Sequence, residues 1–399
     1  MKVEYGRGKN KKCITLPDTK PDTIPKILDL DKITKKNLLK IADAWSIEVN
    51  KNSRVIEIRN SIKYLGIKKK IDLDNLLLTF QELSLRQKSE LIDTYLQPHD
   101  IERKNNAEIS TPFSLRCDML DKIPSEFWET PKKVFEPCAG KGGFVIDIVD
   151  RFMIGLTEMI PDEKKRYKII VEQCLYFADI NSQNIFICEL LLDPFDDYKL
   201  NYHMGDTLKL DVRIKWNIEG FDAVIGNPPY QSQSGNKGRG NTLWDKFTDK
   251  SLNNWLNIDG YLSFVHPSGW RQLDNKTGKL MLSKQFVYLN MNSVDVGRSV
   301  FGCSTTFDYY ILQNKIPDRV TMINDYHDNV YSYDLKYLRF IPNHSIHLVN
   351  EYLDYKNENG VIYSRTNYGA DKKWVSKVKN NEFKYPCIYS INKKNELSL

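Results

Sequence analysis

Phe221-Asp222-Ala223-Val224-Ile225-Gly226-Asn227-Pro228-Pro229-Tyr230 is the stretch that decides how this chain is read. Val224 and Ile225 form a short apolar run after a polar start, and Gly226 ends it, which is the pattern of a buried strand. Asn-Pro-Pro-Tyr then falls where a parallel strand hands over to its loop. Two consecutive prolines fix φ at about −65° and keep Asn227 extended. The result is a stiff hook carrying one amide, several main-chain carbonyls and one aromatic ring. Open α/β sheets place ligand chemistry at that end of their strands.

The hook suits a poor nitrogen nucleophile. An exocyclic amine on a nucleobase has its lone pair delocalised into the ring. The Asn227 side-chain oxygen and the Pro228 carbonyl can each accept one of its two N–H bonds, which draws the nitrogen towards tetrahedral geometry and frees the lone pair. Pro229 stiffens the hook, and Tyr230 can stack on the base and hold it square, which is catalysis by positioning. No strong base is required.

Upstream, Val134-Phe135 read as a short strand running into Glu136-Pro137-Cys138-Ala139-Gly140-Lys141-Gly142-Gly143-Phe144. Strand, Gly-x-Gly-Gly turn and an apolar helix (Phe144, Ile148, Phe152) make a nucleotide-cofactor loop. The acid Glu136 at the strand end argues for a cationic or hydroxyl-bearing ligand and against a pyrophosphate. The next strand, Leu175 to Ala178, ends in Asp179, placed to take ribose hydroxyls. The gap between the two exceeds the usual spacing, and the basic Lys164-Lys165-Arg166 insert accounts for it. Pro161 to Lys164 reads as a helix start. A strand around Tyr202-His203-Met204 ends at Gly205-Asp206, where Asp206 is able to accept from an adenine amino group.

These motifs together resemble the adenine-N6 DNA methyltransferases of bacterial type II restriction–modification systems, over residues 109 to about 312. The resemblance implies a Rossmann-like α/β fold: a sheet of seven mostly parallel strands that binds S-adenosylmethionine, with an N-terminal helical domain and a C-terminal extension. It implies that Thr111 and Pro112 touch the methionine part of the cofactor and that Glu136, Gly140 and Gly142 form its pocket. Phe144 would lie on the cofactor's adenine, Asp179 would bind its ribose, and Asp206 its adenine edge. Phe301, in Gly297-Arg298-Ser299-Val300-Phe301-Gly302, matches the family's second base-stacking aromatic, with core packing as its rival role. The order of motifs is that of the gamma group. Expected partners are DNA and a restriction endonuclease or specificity protein, with no metal and no membrane.

After the hook, residues 231–241 include Lys237 and Arg239, a cationic strap suited to DNA phosphates. His266 reads as a loop-orienting residue, because the proposed chemistry has no task for a base. The expected organisation is a flexible lead over 1–28, a helical domain over 29–100, a catalytic domain over 105–312 and an extension over 313–399. In the helical part, Leu38, Ile41, Ala42 and Trp45 share one face, and Val55, Ile58, Ile62 and Leu65 another. Lys51 and Arg54 lie between them, an arrangement similar to the SAP-type module that binds DNA backbone; a plain helical bundle fits equally well. Residues 76–96 carry a degenerate echo of it. Lys384-Tyr385-Pro386-Cys387-Ile388 resembles the opening of a target-recognition region, which in that family continues further; recognition would then be reduced or supplied elsewhere.

Composition sets outer bounds. The 399 residues are 41% apolar and 28% charged, ordinary for a globular chain, and the +6 net charge is compatible with a polyanionic partner. Seven cysteines without a Cys-x-x-Cys pair or zinc-type spacing read as reduced thiols in a cytoplasmic setting. The basic N-terminus lacks the apolar core of a signal peptide. The same hook also accommodates a glutamine side-chain amide, as in release-factor methyltransferases, or an RNA adenine or a cytosine N4. A catalytically dead DNA-binding scaffold is the alternative from another class.

Overall fold

The computed structural model describes residues 2–5, 12–15, 35–44, 49–59, 85–86, 89, 92–93, 109–193, 197–231, 242–272, 275–335, 341–347, 376, 378–382, 384, 390–391 and 397–398. They fall into two units, Met1–Ile346 and His347–Leu399. In the second unit the described structure is one short antiparallel pair, Ser390–Ile391 with Leu397–Ser398.

The first unit opens with an antiparallel hairpin, β1 (Lys2–Tyr5) and β2 (Lys12–Thr15), within the stretch expected to be a lead. Helix α1 (Lys35–Ala44) lies against α5 (Ser182–Leu192). It buries Leu38 and Ala42, two members of the expected apolar face, and Ile58 is buried in the next helical stretch. Trp45, Ile62 and Leu65 lie outside the described residues.

The main sheet has nine strands: β3 (Val134–Glu136), β4 (Leu175–Asp179), β5 (Asn201–Met204), β6 (Phe221–Gly226), β7 (Leu256–Pro267), β8 (Gln285–Asn292), β9 (Phe307–Gln313), β10 (Thr321–Asn324) and β11 (Val330–Tyr333). Their spatial order is β11-β10-β8-β9-β7-β6-β3-β4-β5. From β5 to β7 the pairs are parallel, while β9 inserts antiparallel between β7 and β8. The strand order reverses beside β3, and an open parallel sheet binds its ligands outside the carboxyl ends of the strands at such a switch point. This is an open, mostly parallel, Rossmann-like α/β sheet, as expected. The expected seven strands are present, and β10 and β11 widen it beyond residue 312, where the sequence shows little periodicity. Central strands read as continuous apolar runs because both faces are covered; β4 is buried at all five positions.

Short helices fill the crossovers: α2 (Phe113–Asp121), α3 (Gly143–Gly155), α4 (Glu163–Ile169), α6 (Val212–Trp216), α7 (Trp244–Lys250), α8 (Lys276–Leu282) and α9 (Val294–Phe301). The basic insert is part of α4, started by Asp162, whose carboxylate accepts from Lys165 N at 2.7 Å. Arg166 of that insert turns inward and donates to the Ile160 carbonyl at 2.6 Å.

One buried polar cluster ties these layers together. Arg116 on α2, 1% exposed, bonds Asp147 on α3 at 2.6 Å and Asp93 at 2.7 Å. It also donates to Ser89 Oγ at 2.6 Å and to the Thr111 carbonyl. Burial alone would lower the guanidinium pKa, but Asp147 and Asp93 outweigh it and hold the charge. Removing one member of such a cluster leaves an uncompensated buried charge. Arg116→Met is therefore expected to cost about 3–5 kcal/mol, read as a lower urea midpoint at unchanged m; a shift below about a quarter of that range would refute this account.

Candidate functional site

The site is built where β3, β4 and β6 end side by side. Glu136 closes β3 and is 1% exposed. Its Oε1 accepts from Cys138 N at 3.1 Å, and its Oε2 has no hydrogen-bond partner among the described residues. Burial pushes this carboxyl well above the usual carboxylate range; the Cys138 bond opposes that, and the Asp179 charge adds to it. A buried carboxyl with an unused oxygen is chemically fitted to meet a cation or a hydroxyl.

The neighbouring strand makes room for it. A Cβ at Gly226 would stand 2.3 Å from Glu136 Oε1, so the last residue of β6 must be glycine for the acid to lie where it does. Asn227 follows at once, and the hook thus begins against the acid. The turn beyond Glu136 has φ of 52° at Gly140 and 88° at Gly142, both left-handed.

Asp179 ends β4, 8% exposed, and holds the turn from the other side. Its carboxylate accepts from Gly140 N at 2.8 Å and from Asn181 N at 2.7 Å. Burial raises its pKa in spite of these bonds. Asp206, assigned to the adenine edge, is exposed and caps a short turn, accepting from Leu208 N at 3.2 Å and pairing with Lys209 at 3.2 Å. Phe144 is buried in the hydrophobic core at the start of α3.

On the hook itself, Asn227 Nδ2 donates to Thr111 Oγ1 at 3.1 Å. Asn227 Oδ1 is buried and has no partner among the described residues. Pro112 caps α2 immediately after Thr111. A cavity of about 420 Å³ opens in front, lined by all four hook residues together with Trp244 and Phe301. Gln231, Thr242, Cys303 and Thr305 supply polar atoms to its wall. Phe301 also packs edge-on against Phe307, ring centroids 4.9 Å apart, so the core-packing role is present in a ring that also lines the cavity. Burial pushes the Tyr230 phenol up, with Cys303 and Asp308 adding to the shift, and the ring stays neutral.

Behind the cavity, His266 is wholly buried, with Nε2 3.0 Å from the Tyr310 hydroxyl and Nδ1 3.2 Å from the Pro267 carbonyl. Burial lowers its pKa to about 4. A neutral imidazole held between two partners orients β7 and its following loop, in keeping with the sequence reading. Lys237, Arg239 and residues 385–388 lie outside the described residues.

The Gly140–Gly142 turn and the hook meet through Glu136 and Gly226, and again through Arg116, which lies beside Gly143 and holds Thr111. Sequence reasoning missed Arg116 and its acids. One signal was available: Asp147 interrupts the apolar run Val145, Ile146, Ile148 and Val149, and an acid buried within such a run needs a cation beside it. Among the described residues no group of three or more His, Cys, Asp or Glu side chains could hold a metal ion, and no helix is long and apolar enough to cross a membrane.

Comparisons with known proteins agree with the resemblance drawn from the motifs. Residues 173–296 match the family described as Eco57I restriction-modification methylase. A Mycoplasma pneumoniae (strain ATCC 29342 / M129 / Subtype 1) protein described as an uncharacterized adenine-specific methylase is 23% identical over 261 residues, 48% of this chain and 60% of that protein. The chain thus spans less than two thirds of that relative. Among solved structures, a DrdV–DNA complex aligns at 13% identity over 86% of this chain and 42% of that one, TM-score 0.47. The M protein of the type I restriction enzyme EcoKI aligns at 14% identity over 76% and 71%, TM-score 0.41.

Two outcomes check this geometry. Gly226→Ala forces a methyl group into the Glu136 carboxyl and is expected to cost about 1–3 kcal/mol, read by urea denaturation; a neutral result would refute the close approach. The raised Glu136 pKa fixes a sign as well: above pH of about 4.5 the unfolded chain has lost a proton that the folded chain keeps. Stability relative to Glu136→Gln should be greatest below that pH and fall as pH rises, by up to about 1.4 kcal/mol per pH unit. A difference that grows with pH would contradict the assignment.

Proposed function

We propose that this chain is an S-adenosylmethionine-dependent methyltransferase acting on N6 of an adenine drawn out of the DNA stack, with the gamma order of motifs, in a restriction–modification setting. The observation that carries the reading is Asn227 Oδ1: a buried acceptor with no partner among the described residues, on a rigid hook facing a cavity walled by aromatic rings. A buried polar atom left unsatisfied costs free energy, and an amine N–H entering the cavity would satisfy it. The adenine-specific description of the Mycoplasma relative and the family match over 173–296 support adenine as the acceptor.

Glu136 with its free Oε2, the left-handed turn at Gly140 and Gly142, and Asp179 fit S-adenosylmethionine, whose charge is positive and whose ribose carries hydroxyls. Thr111, Pro112, Phe144 and Asp206 complete the proposed cofactor set. Bound S-adenosylmethionine would supply an electrophilic methyl group on a sulfonium.

The protein's own part is to prepare the amine. Asn227 Oδ1 accepts one N–H and the Pro228 carbonyl the other, which localises the nitrogen lone pair. Pro229 keeps the hook from yielding, since its fixed φ removes a torsion. Tyr230 and Phe301 stack on the base, and such contacts contribute about 1–3 kcal/mol per base, comparable with the cost of extruding it. Lys237 and Arg239 are assigned to phosphates, so binding should weaken steeply with salt.

Asn227→Ala tests the reading. Tritium transfer from labelled S-adenosylmethionine to DNA unmethylated at adenine should fall about 100-fold or more, with cofactor affinity within a few fold. Label delivered to RNA or protein instead of DNA, or full turnover in the variant, would overturn it.

A further inference from the structure

We infer that Thr111 is a positioning residue whose hydroxyl, by accepting from the Asn227 amide NH2, supports the amide orientation that methyl transfer requires. The inference rests on the function proposed above and goes beyond it, because the resemblance gives Thr111 only a contact with the cofactor.

An asparagine amide turned by half a revolution exchanges its oxygen and its NH2 in space. Only one of the two orientations serves an incoming amine: Oδ1 must face the cavity, because an amide NH2 facing a substrate NH2 sets donor against donor. In that orientation the Asn227 NH2 points away from the cavity and needs an acceptor of its own. Thr111 Oγ1, 3.1 Å from Nδ2, is that acceptor. Thr111 is 6% exposed, so little water can replace it.

The hydroxyl is itself held in place. Arg116 takes the Thr111 carbonyl while bound to Asp147, Asp93 and Ser89. The cluster that anchors the glycine turn therefore also aims the amide. Removing the hydroxyl would leave Nδ2 without an acceptor in the productive orientation and would favour other amide torsions. Turnover at saturating cofactor should suffer, and that loss is separate from any weakening of cofactor affinity through the contact assigned to Thr111 itself.

The test compares Thr111→Val, Thr111→Ser and Asn227→Ala in the full chain. Methyl transfer to DNA is measured at saturating S-adenosylmethionine, and cofactor affinity is measured separately by calorimetry. Thr111→Val is expected to lower kcat at saturating cofactor by about 10- to 100-fold, whatever change the separate titration shows in cofactor Kd, and Thr111→Ser to restore most of the loss. The double variant with Asn227→Ala should be no slower than Asn227→Ala alone, because the two groups act as one. A Thr111→Val enzyme with weakened cofactor binding and wild-type kcat would overturn the inference, as would a serine variant as slow as the valine one. If Asn227→Ala is inactive while Thr111→Val turns over normally, only the inference fails; if Asn227→Ala itself is fully active, the functional reading fails first.

Discussion

The buried guanidinium of Arg116 is the interaction on which the rest of the site depends. It joins the helix that follows Thr111 to the helix that follows the glycine turn, and both to Ser89 and Asp93 from the N-terminal part of the chain. These groups come from three separate stretches of the chain, 89–93, 111–116 and 147. A charge in the interior is tolerated only when paired and hydrogen-bonded throughout, and this one has two carboxylates, a hydroxyl and carbonyls around it. The arrangement therefore specifies one relative placement of cofactor loop and hook. An apolar contact of the same size would permit several.

A second constraint is electrostatic. Glu136 and Asp179 end adjacent parallel strands, both largely removed from water, and burial raises both pKa values. Asp179 uses both oxygens on main-chain amides, whereas Glu136 leaves one unused. The two acids are thus chemically distinct: one holds the turn through both oxygens, and the other keeps one oxygen without a partner among the described residues. That division follows from which strand each terminates and from the glycine opposite Glu136, since the same carboxyl group in different surroundings acquires different tasks.

Much of this was legible in the chain itself. The strands from 134 to 267 stood out because central parallel strands are apolar throughout, and their order along the chain matched that of the motifs. The hook was legible because Pro-Pro dictates its own geometry. Contacts set by distant partners were not: Arg116 looks like any helix arginine until Asp93 and Asp147 are brought to it. Asp206 read as a ligand contact, and its second task was not foreseen: a strand end followed by a turn is also a capping position, and Asp206 caps the turn that follows. Strands β10 and β11 are short and carry exposed residues on alternate positions, which left the region after 312 without a clear signal. The start of the helix at 163–169 was legible at Pro161 to Lys164, whereas the inward turn of Arg166 among solvent-facing lysines was not.

The placement of β9 has a bearing on how the molecule comes together. Residues 307–313 are the last of the central strands to leave the ribosome, yet they fill the slot between β7 and β8. Until they emerge, β7 presents an open row of amides and carbonyls along its long edge, and β8 has nothing to join. A nascent chain shorter than this carries the cofactor half of the sheet beside a sticky border, and open strand borders invite pairing with other chains. Biogenesis thus hinges on a seven-residue wedge synthesised about eighty residues after the hook, which marks that interval as the stretch in which a chaperone would matter most.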